Sequence, residues 1–191
     1  MPRQELACHF PAYHSQLQRK PKTQMSMRKP PFDHFPVLSD DKVVLRQIDD
    51  TDLADLVDIT FYDAVQANTW QQAKEMNAKI DRDYQEGNTI HWAIVDKATR
   101  KIVGTCGYYR GFDNEEGELG CVLLLPYRGQ GYMTAALSLL IDFGLNAIGL
   151  KGIFAVTSQD NNKAIRLLER LGFIKTDNLK GKKVKYQLPS Q

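Results

Sequence analysis

The chain has 191 residues, with 25 Lys and Arg against 23 Asp and Glu and a formal net charge of +2 at pH 7. That length suits one domain with enough apolar content for a core, and the near-balance of charge argues against an obligatory nucleic-acid or membrane partner. No apolar run approaches the length of a membrane span, and residues 1–20 hold no continuous apolar segment of the signal-peptide kind.

Three cysteines, Cys8, Cys106 and Cys121, are widely spaced, and no Cys-x-x-Cys occurs. An odd count, with two in apolar strand contexts, points to reduced thiols and a cytoplasmic setting. Of four histidines only His91 falls outside the N-terminal segment, so a histidine-based metal site is not expected. Nothing around His91 supports a Ser-His-Asp triad.

Residues 1–34 differ from the rest. They are rich in proline, glutamine and basic residues, including Arg19, Lys20, Lys22, Arg28 and Lys29. The expectation is a mobile tail; a basic arm for a polyanion and a natural start at Met25 or Met27 are the alternatives. The ordered domain is expected over 35–191.

Lys42 to Arg46 reads as a strand, and Asp49-Asp-Thr-Asp-Leu53 is dense in helix-capping side chains. Leu53, Leu56, Val57 and Phe61 keep helical spacing, which predicts a first helix. A second runs from Trp70 to Gln85 with Ala73, Met76, Ile80 and Tyr84 on one stripe. The segments 91–95 and 102–109 form an antiparallel hairpin, and 118–125 a third long strand. Gly120 inside that strand suggests a bulge or the close approach of a backbone or ligand. Beyond it come a helix with a polar stripe (Thr134, Ser138, Asp142, Asn146), a short strand at 153–156, a helix capped by Asp160 or Asn161 and ended at Gly172, and final strands closing with Val184 to Leu188. The order is β-α-α-β-β-β-α-β-α-β-β, an α+β class with a mixed, mostly antiparallel sheet flanked by helices.

The rest of the chain is arranged around residues 123–137. A buried strand on the left meets a helix start on the right, and Arg128-Gly129-Gln130-Gly131 forms the turn between them. Such a turn aims several N–H groups, and the positive end of the helix dipole, at one point, which makes a socket for phosphate or pyrophosphate. A P-loop is excluded because no lysine follows Gly131. A dinucleotide fold is disfavoured because Thr134 stands at the third glycine and no acidic residue follows at the required distance. What remains is Arg-x-x-Gly-x-Gly/Ala. Arg128-Gly129-Gln130-Gly131-Tyr132-Met133 resembles this pyrophosphate loop of the GNAT N-acetyltransferases, with methionine in the last place.

Other stretches agree with that resemblance. Residues 35–46 look like the opening of the Rim-type ribosomal-protein N-acetyltransferases within the GNAT superfamily, and Glu118-Leu-Gly-Cys-Val-Leu resembles that branch's strand before the loop. Asn161-x-x-Ala164 through Leu171-Gly-Phe173 resembles its later Asn-x-x-Ser helix. The resemblance implies acetyl-CoA as acetyl donor. Its pantetheine would pair with the backbone of Cys121 and Leu123, and its pyrophosphate would sit on the amides of Gly129, Gln130, Gly131, Tyr132, Met133 and Thr134, beside Arg128. Asn161 has two readings, a contact to the pantetheine arm or a plain helix cap. Two departures stand out: the branch's helix serine is Ala164, and the tyrosine of other GNAT enzymes is Leu168. Proline also comes one place late, at Pro126.

The implied chemistry asks little of the protein. An amine must lose a proton before it attacks the thioester, and a backbone N–H can polarise the carbonyl. By the same resemblance Glu118 is the base, with Glu115 and Glu116 as neighbours able to replace it. The acceptor is expected between the first two helices, their 61–70 linker and the 108–117 loop, with Phe61, Tyr62, Trp70, Tyr108 and Tyr109 as walls. A protein N-terminal amine is the expected acceptor. The alternatives are a small amine (polyamine, amino sugar or amino acid) and a non-catalytic acetyl-CoA-binding module. The protein is expected to act as a monomer or homodimer.

Overall fold

A computed structural model describes residues 26–189. Eight strands form one sheet in the order β1-β2-β5-β6-β7-β8-β10-β9, and a short β3–β4 hairpin stands apart. The strands are β1 (Leu38–Ser39), β2 (Val43–Gln47), β3 (Phe61–Tyr62), β4 (Val65–Gln66), β5 (Ile90–Asp96), β6 (Ile102–Tyr109), β7 (Glu116–Leu123), β8 (Gly152–Ser158), β9 (Ile174–Leu179) and β10 (Lys183–Gln187). The helices are α1 (Leu53–Leu56), α2 (Trp70–Gln85), α3 (Tyr132–Phe143) and α4 (Asn162–Arg170). Apart from the added β1 and the β3–β4 hairpin, this is the expected element order. All neighbouring strands run antiparallel except β7 and β8.

The sheet buries apolar side chains on both faces. One cluster holds Trp92, Tyr108, Leu119, Leu137, Leu140 and Ile153 among others. The second, smaller one gathers Leu53, Leu56 and Ile59 against Ala93, Val95 and Ile102. The residues follow the period-two rule for strands covered on each side.

Several expectations need correction. The first helix is only Leu53–Leu56, followed by a 3-10 turn at Val57–Ile59, and Phe61 leaves it for the β3–β4 hairpin. Asp52 does not cap this helix: its carboxylate accepts from Arg46 Nη1 and Nη2, at 2.6 and 2.7 Å, and from the Asp49 N–H at 2.9 Å. In α2 the buried stripe is Ala73, Asn77, Ile80 and Tyr84, with Asn77 rather than Met76 buried. β7 spans 116–123 rather than 118–125, because Leu125–Tyr127 with Pro126 turns into a 3-10 helix. A proline offers no N–H to continue a ladder. α3 runs on into a π-helical turn, Gly144–Ile148, before Gly149 ends it with φ of 84°.

Gly120 is close to a ring rather than to a bulge. A Cβ there would meet Tyr109 Cε2 at 2.5 Å, so the absent side chain makes room for the tyrosine.

Packing of the chain on the sheet starts before Phe35, the expected domain start. Arg28 N–H donates to Ile148 O at 2.8 Å and Phe32 N–H to the Tyr84 hydroxyl at 3.0 Å. The Phe32 ring meets Phe143 edge-on at 5.8 Å. Residues 26–34 therefore belong to the packed body, because Met27 and Phe32 bring apolar surface that the core covers. The remainder of the expected tail, residues 1–25, lies outside the described residues.

Candidate active site

β7 and β8 pair in parallel over four positions, from Glu116↔Gly152 to Leu119↔Ala155, and then part. The consequence follows from the ladder on the other side of β7. Leu124 N–H bonds to Val103 O at 3.0 Å, which with the register Gly104↔Leu123 and Cys106↔Cys121 fixes the alternation. Val122 and Gly120 spend their backbone groups on β6, while Cys121 and Leu123 turn theirs toward the slot left by β8. One of these groups is occupied: Arg128 Nε donates to Leu123 O at 3.0 Å. Cys121 is exposed and Leu123 buried.

The slot forms part of a cavity of about 1040 Å³ that also reaches between the sheet and α2. α4 walls it with Asn161, Ala164 and Leu168, none of which carries a hydroxyl. Asn161 Oδ1 accepts the Ala164 N–H at 3.2 Å. The cap is real, and the side-chain amide still borders the cavity.

At the far end of β7, Gly129 and Gly131 adopt φ of 76° and 84°, a region open to glycine at little cost. Gly131 is the N-cap of α3 and makes no side-chain cap bond, so the first N–H groups of the helix, Tyr132, Met133 and Thr134, have no capping side chain. A Cβ at Gly129 would meet nothing within 4 Å, and at Gly131 only Lys42 Cε at 3.8 Å. Arg128, Gly129, Gln130 and Gly131 are all exposed, and Gln130 Nε2 folds back to Pro126 O at 2.7 Å. An anion can reach this turn unhindered. Lys42, from β2's approach, adds a cation that the sequence pattern did not single out, its Nζ standing 4.6 Å over the Tyr132 ring. A glycine turn and open helix start beside a slot of unpaired backbone fit a phosphorylated pantetheine ligand.

At the other end Glu118 borders the cavity. Its side chain is 14% exposed, and Oε1 is ion-paired with Arg110 Nη1. Neither alternative carboxylate borders it: Glu115 pairs with Lys151, and Glu116 accepts from Gln187 Nε2 at 2.9 Å. Of the five expected aromatic walls, Phe61, Tyr62 and Tyr109 line the cavity. Tyr108 is core instead, its hydroxyl bonded to Leu140 O at 2.7 Å, and Trp70 is 44% exposed with Lys74 over its ring.

His91, set aside on sequence, is on the cavity wall next to Tyr109, with ring centroids 5.5 Å apart. Its Nδ1 is buried without a hydrogen-bond partner. Burial pushes its pKa down to about 4, so at neutral pH the imidazole is uncharged. Among the described residues no group of three His, Cys, Asp or Glu is placed to hold a metal ion, and no helix is long and apolar enough to cross a membrane.

Comparison with known proteins agrees with this geometry. The acetyltransferase (GNAT) domain profile matches residues 42–174. The chain is 30% identical over 149 residues to the Uncharacterized N-acetyltransferase YoaA of Bacillus subtilis (strain 168), covering 74% of this chain and 84% of that one. Among solved structures it is similar to a candidate ribosomal-protein-serine acetyltransferase from Vibrio cholerae, with TM-score 0.69 and 20% identity over 80% of this chain and 97% of the other. It is also similar to a spermidine N-acetyltransferase chimera of Vibrio cholerae SpeG and hSSAT, with TM-score 0.64 and 15% identity over 76% and 94%. The chain belongs to the GNAT family and is an acetyl-CoA-dependent N-acetyltransferase.

Proposed function

We propose that the acetyl group passes to a primary amine that enters from the Glu118 end of the cavity. The observation that supports this most is the parting of β7 and β8 beyond Leu119 and Ala155. It leaves one slot with the glycine turn at one end and a carboxylate at the other.

In this reading the pantetheine arm lies along β7 as an added strand would. Cys121 C=O and Leu123 N–H are the groups left for it, since Arg128 already holds Leu123 O and Cys121 N–H is kept for the acyl group. The amides of Gly129 to Thr134 take the pyrophosphate, with Arg128 and Lys42 supplying positive charge. Asn161 keeps its cap through Oδ1 and offers Nδ2 to the arm. Bound acetyl-CoA supplies an activated acyl group and a thiol leaving group of ordinary pKa about 8.5.

The chain's own residues then have limited tasks. Glu118 takes the proton from the incoming ammonium. Oε2 is the oxygen for this, because Oε1 is held by Arg110. Cys121 N–H, which faces the slot, polarises the acyl carbonyl in this reading. Ala164 and Leu168 offer no proton, and departure of a thiol of such pKa needs little help.

The acceptor favoured here is the N-terminal amine of a polypeptide. The β3–β4 hairpin, whose Phe61 lines the cavity, leaves Phe61 46% and Val65 59% exposed, apolar surface that a chain could cover while its end reaches inward. A small amine is the second reading, favoured by the carboxylates of the same cavity and by the fold shared with a spermidine acetyltransferase. Acceptor-dependent thiol release from acetyl-CoA, measured across peptides, polyamines, amino sugars and amino acids, tests the choice. Turnover of peptides with little for free small amines is expected, and turnover confined to small amines overturns the N-terminal reading.

A further inference from the structure

Among the described residues seven non-glycine positions have positive φ, and five of them lie in two loops at the Glu118 end of the cavity. These are Asp63 and Ala64 in the β3–β4 hairpin, and Arg110, Asn114 and Glu115 in the turn between β6 and β7. The left-handed region costs conformational energy for any residue with a Cβ, and such positions persist where the surroundings hold them and function uses them. Of the five, Arg110 is the one bonded to a residue of the transfer site: its Nη1 pairs with Glu118 Oε1.

The strand register explains the kink. Tyr109 and Glu118 are Cα partners across β6 and β7, so their side chains share one face of the sheet, and both line the cavity. Regular alternation would put the next side chain, that of Arg110, on the opposite face. A φ of 61° at Arg110, followed by 83° at Gly111, breaks the alternation and brings the guanidinium back to Glu118. Both flanks are fixed. Gly111 N–H donates to Asn88 O at 2.8 Å, and the Phe112 ring, 2% exposed, lies 6.0 Å from that of Tyr108. A glycine at 110 would take this φ freely, so the backbone path alone does not call for arginine. The Glu118 side chain is 14% exposed and that of Arg110 73%, so the cation reaches in from solvent to a carboxylate that is largely covered.

We propose that Arg110 is a positioning residue for acetyl transfer, its left-handed backbone aiming one guanidinium nitrogen at Glu118 Oε1 so that Oε2 stays turned toward the acceptor amine. The inference rests on the reading of Glu118 as proton acceptor and deepens it. A carboxylate held by nothing turns broadly about its terminal bond, whereas one held oxygen fixes where the other lies. The proton passes from the ammonium to Oε2. Arg110 gives up none, because a guanidinium stays protonated at any working pH.

The test uses the full-length protein, acetyl-CoA, and a serine-initiated peptide and spermidine as probe acceptors. Arg110→Gly keeps the φ and removes the guanidinium. Its kcat should fall roughly tenfold, a modest orientation loss, while KM for acetyl-CoA stays within about twofold of wild type. Its melting temperature should not fall, because glycine relieves the left-handed position. Arg110→Lys should recover most of the rate, since a single nitrogen makes the contact. Millimolar guanidinium ion should raise kcat of Arg110→Gly through the exposed space the side chain leaves, and should not raise that of wild type. In a Glu118→Gln background, Arg110→Gly should cost no further rate. Wild-type kcat in Arg110→Gly, or a fall that neither lysine nor guanidinium ion reverses, overturns the inference; a slow Glu118→Gln then leaves the proton-acceptor reading standing. Wild-type kcat in Glu118→Gln, or no turnover of either probe, overturns both.

Discussion

Leu119 and Ala155 are the last residues at which β7 and β8 pair. Four residues further along β7 the strand stops at Leu123, whose carbonyl is claimed by the Arg128 side chain. Between these points the sheet has an internal edge facing a slot, and internal edges are places where an extended ligand can add to a sheet.

The glycine turn gives the first prediction. Acetyl-CoA should raise the melting temperature by several degrees, since a ligand at a hundred times its Kd adds about 2.7 kcal/mol to a fold that alone binds it. Gly131→Asp should remove that shift, because φ of 84° strains any side chain and the carboxylate repels phosphate. A full shift in this variant would place the pyrophosphate elsewhere.

Tyr109 and Gly120 give the second. A Cβ at Gly120 would lie 2.5 Å from the Tyr109 ring, so Gly120→Ala should destabilise by about 1–3 kcal/mol, the usual range for overpacking. Tyr109→Ala in the same chain should relieve most of that added cost, which a double-mutant cycle from urea unfolding would measure. Additive losses would mean that the ring is not what Gly120 makes room for.

The N-terminal contacts give the third. Deleting residues 1–34 should lower the melting temperature relative to deleting 1–25, because only the longer deletion removes Phe32 from Phe143 and Tyr84. A loss of about 2 kcal/mol for a half-buried aromatic would appear as roughly 4–8 °C at this chain length. Identical melting curves for the two deletions would contradict the packing of residues 26–34.

His91 gives the fourth. Its folded pKa is near 4 against an ordinary 6.5, so between those values the unfolded chain binds a proton that the folded chain does not. Stability present above pH 6.5 is therefore lost as pH falls toward 4, by up to about 3 kcal/mol from this group. Denaturant unfolding of wild type and His91→Gln at pH 7, 5.5 and 4.5 checks this: the variant should lose less stability over that range. Parallel curves would show that His91 is not buried uncharged.

Much of this site could be read in the sequence because its signals are local. Two glycines around one residue marked the turn that opens α3, and Asn161 with Gly172 bracketed α4. The parts that stayed hidden depend on distant contacts. Lys42 joins the turn only because β2 is brought beside α3, and the sheet order is a non-local property. The β3–β4 hairpin escaped notice because its turn uses Asp63 and Ala64 at positive φ, without the glycine that normally marks such a turn. Phe32 lay in a proline- and lysine-rich stretch whose composition suggested a free tail, while one aromatic ring was enough to dock it. Gly120 was singled out for a bulge or for a backbone or ligand close by, but no sequence rule could say that a tyrosine ring from the neighbouring strand would fill its space.

Glu118→Gln tests most directly the proposal that Glu118 takes the proton from the acceptor amine. The amide has nearly the same volume and can still accept a hydrogen bond from Arg110, but it is not a useful base near pH 7. The expected result is a fall in kcat of roughly 10²–10⁴-fold, acetyl-CoA affinity within a few-fold of wild type, and partial recovery of rate at high pH, where more of the amine is already free. Arg110→Gln, which leaves the carboxylate in place, should cost much less. A Glu118→Gln enzyme with wild-type kcat across that pH range would contradict the claim and hand the proton to a water chain or another group.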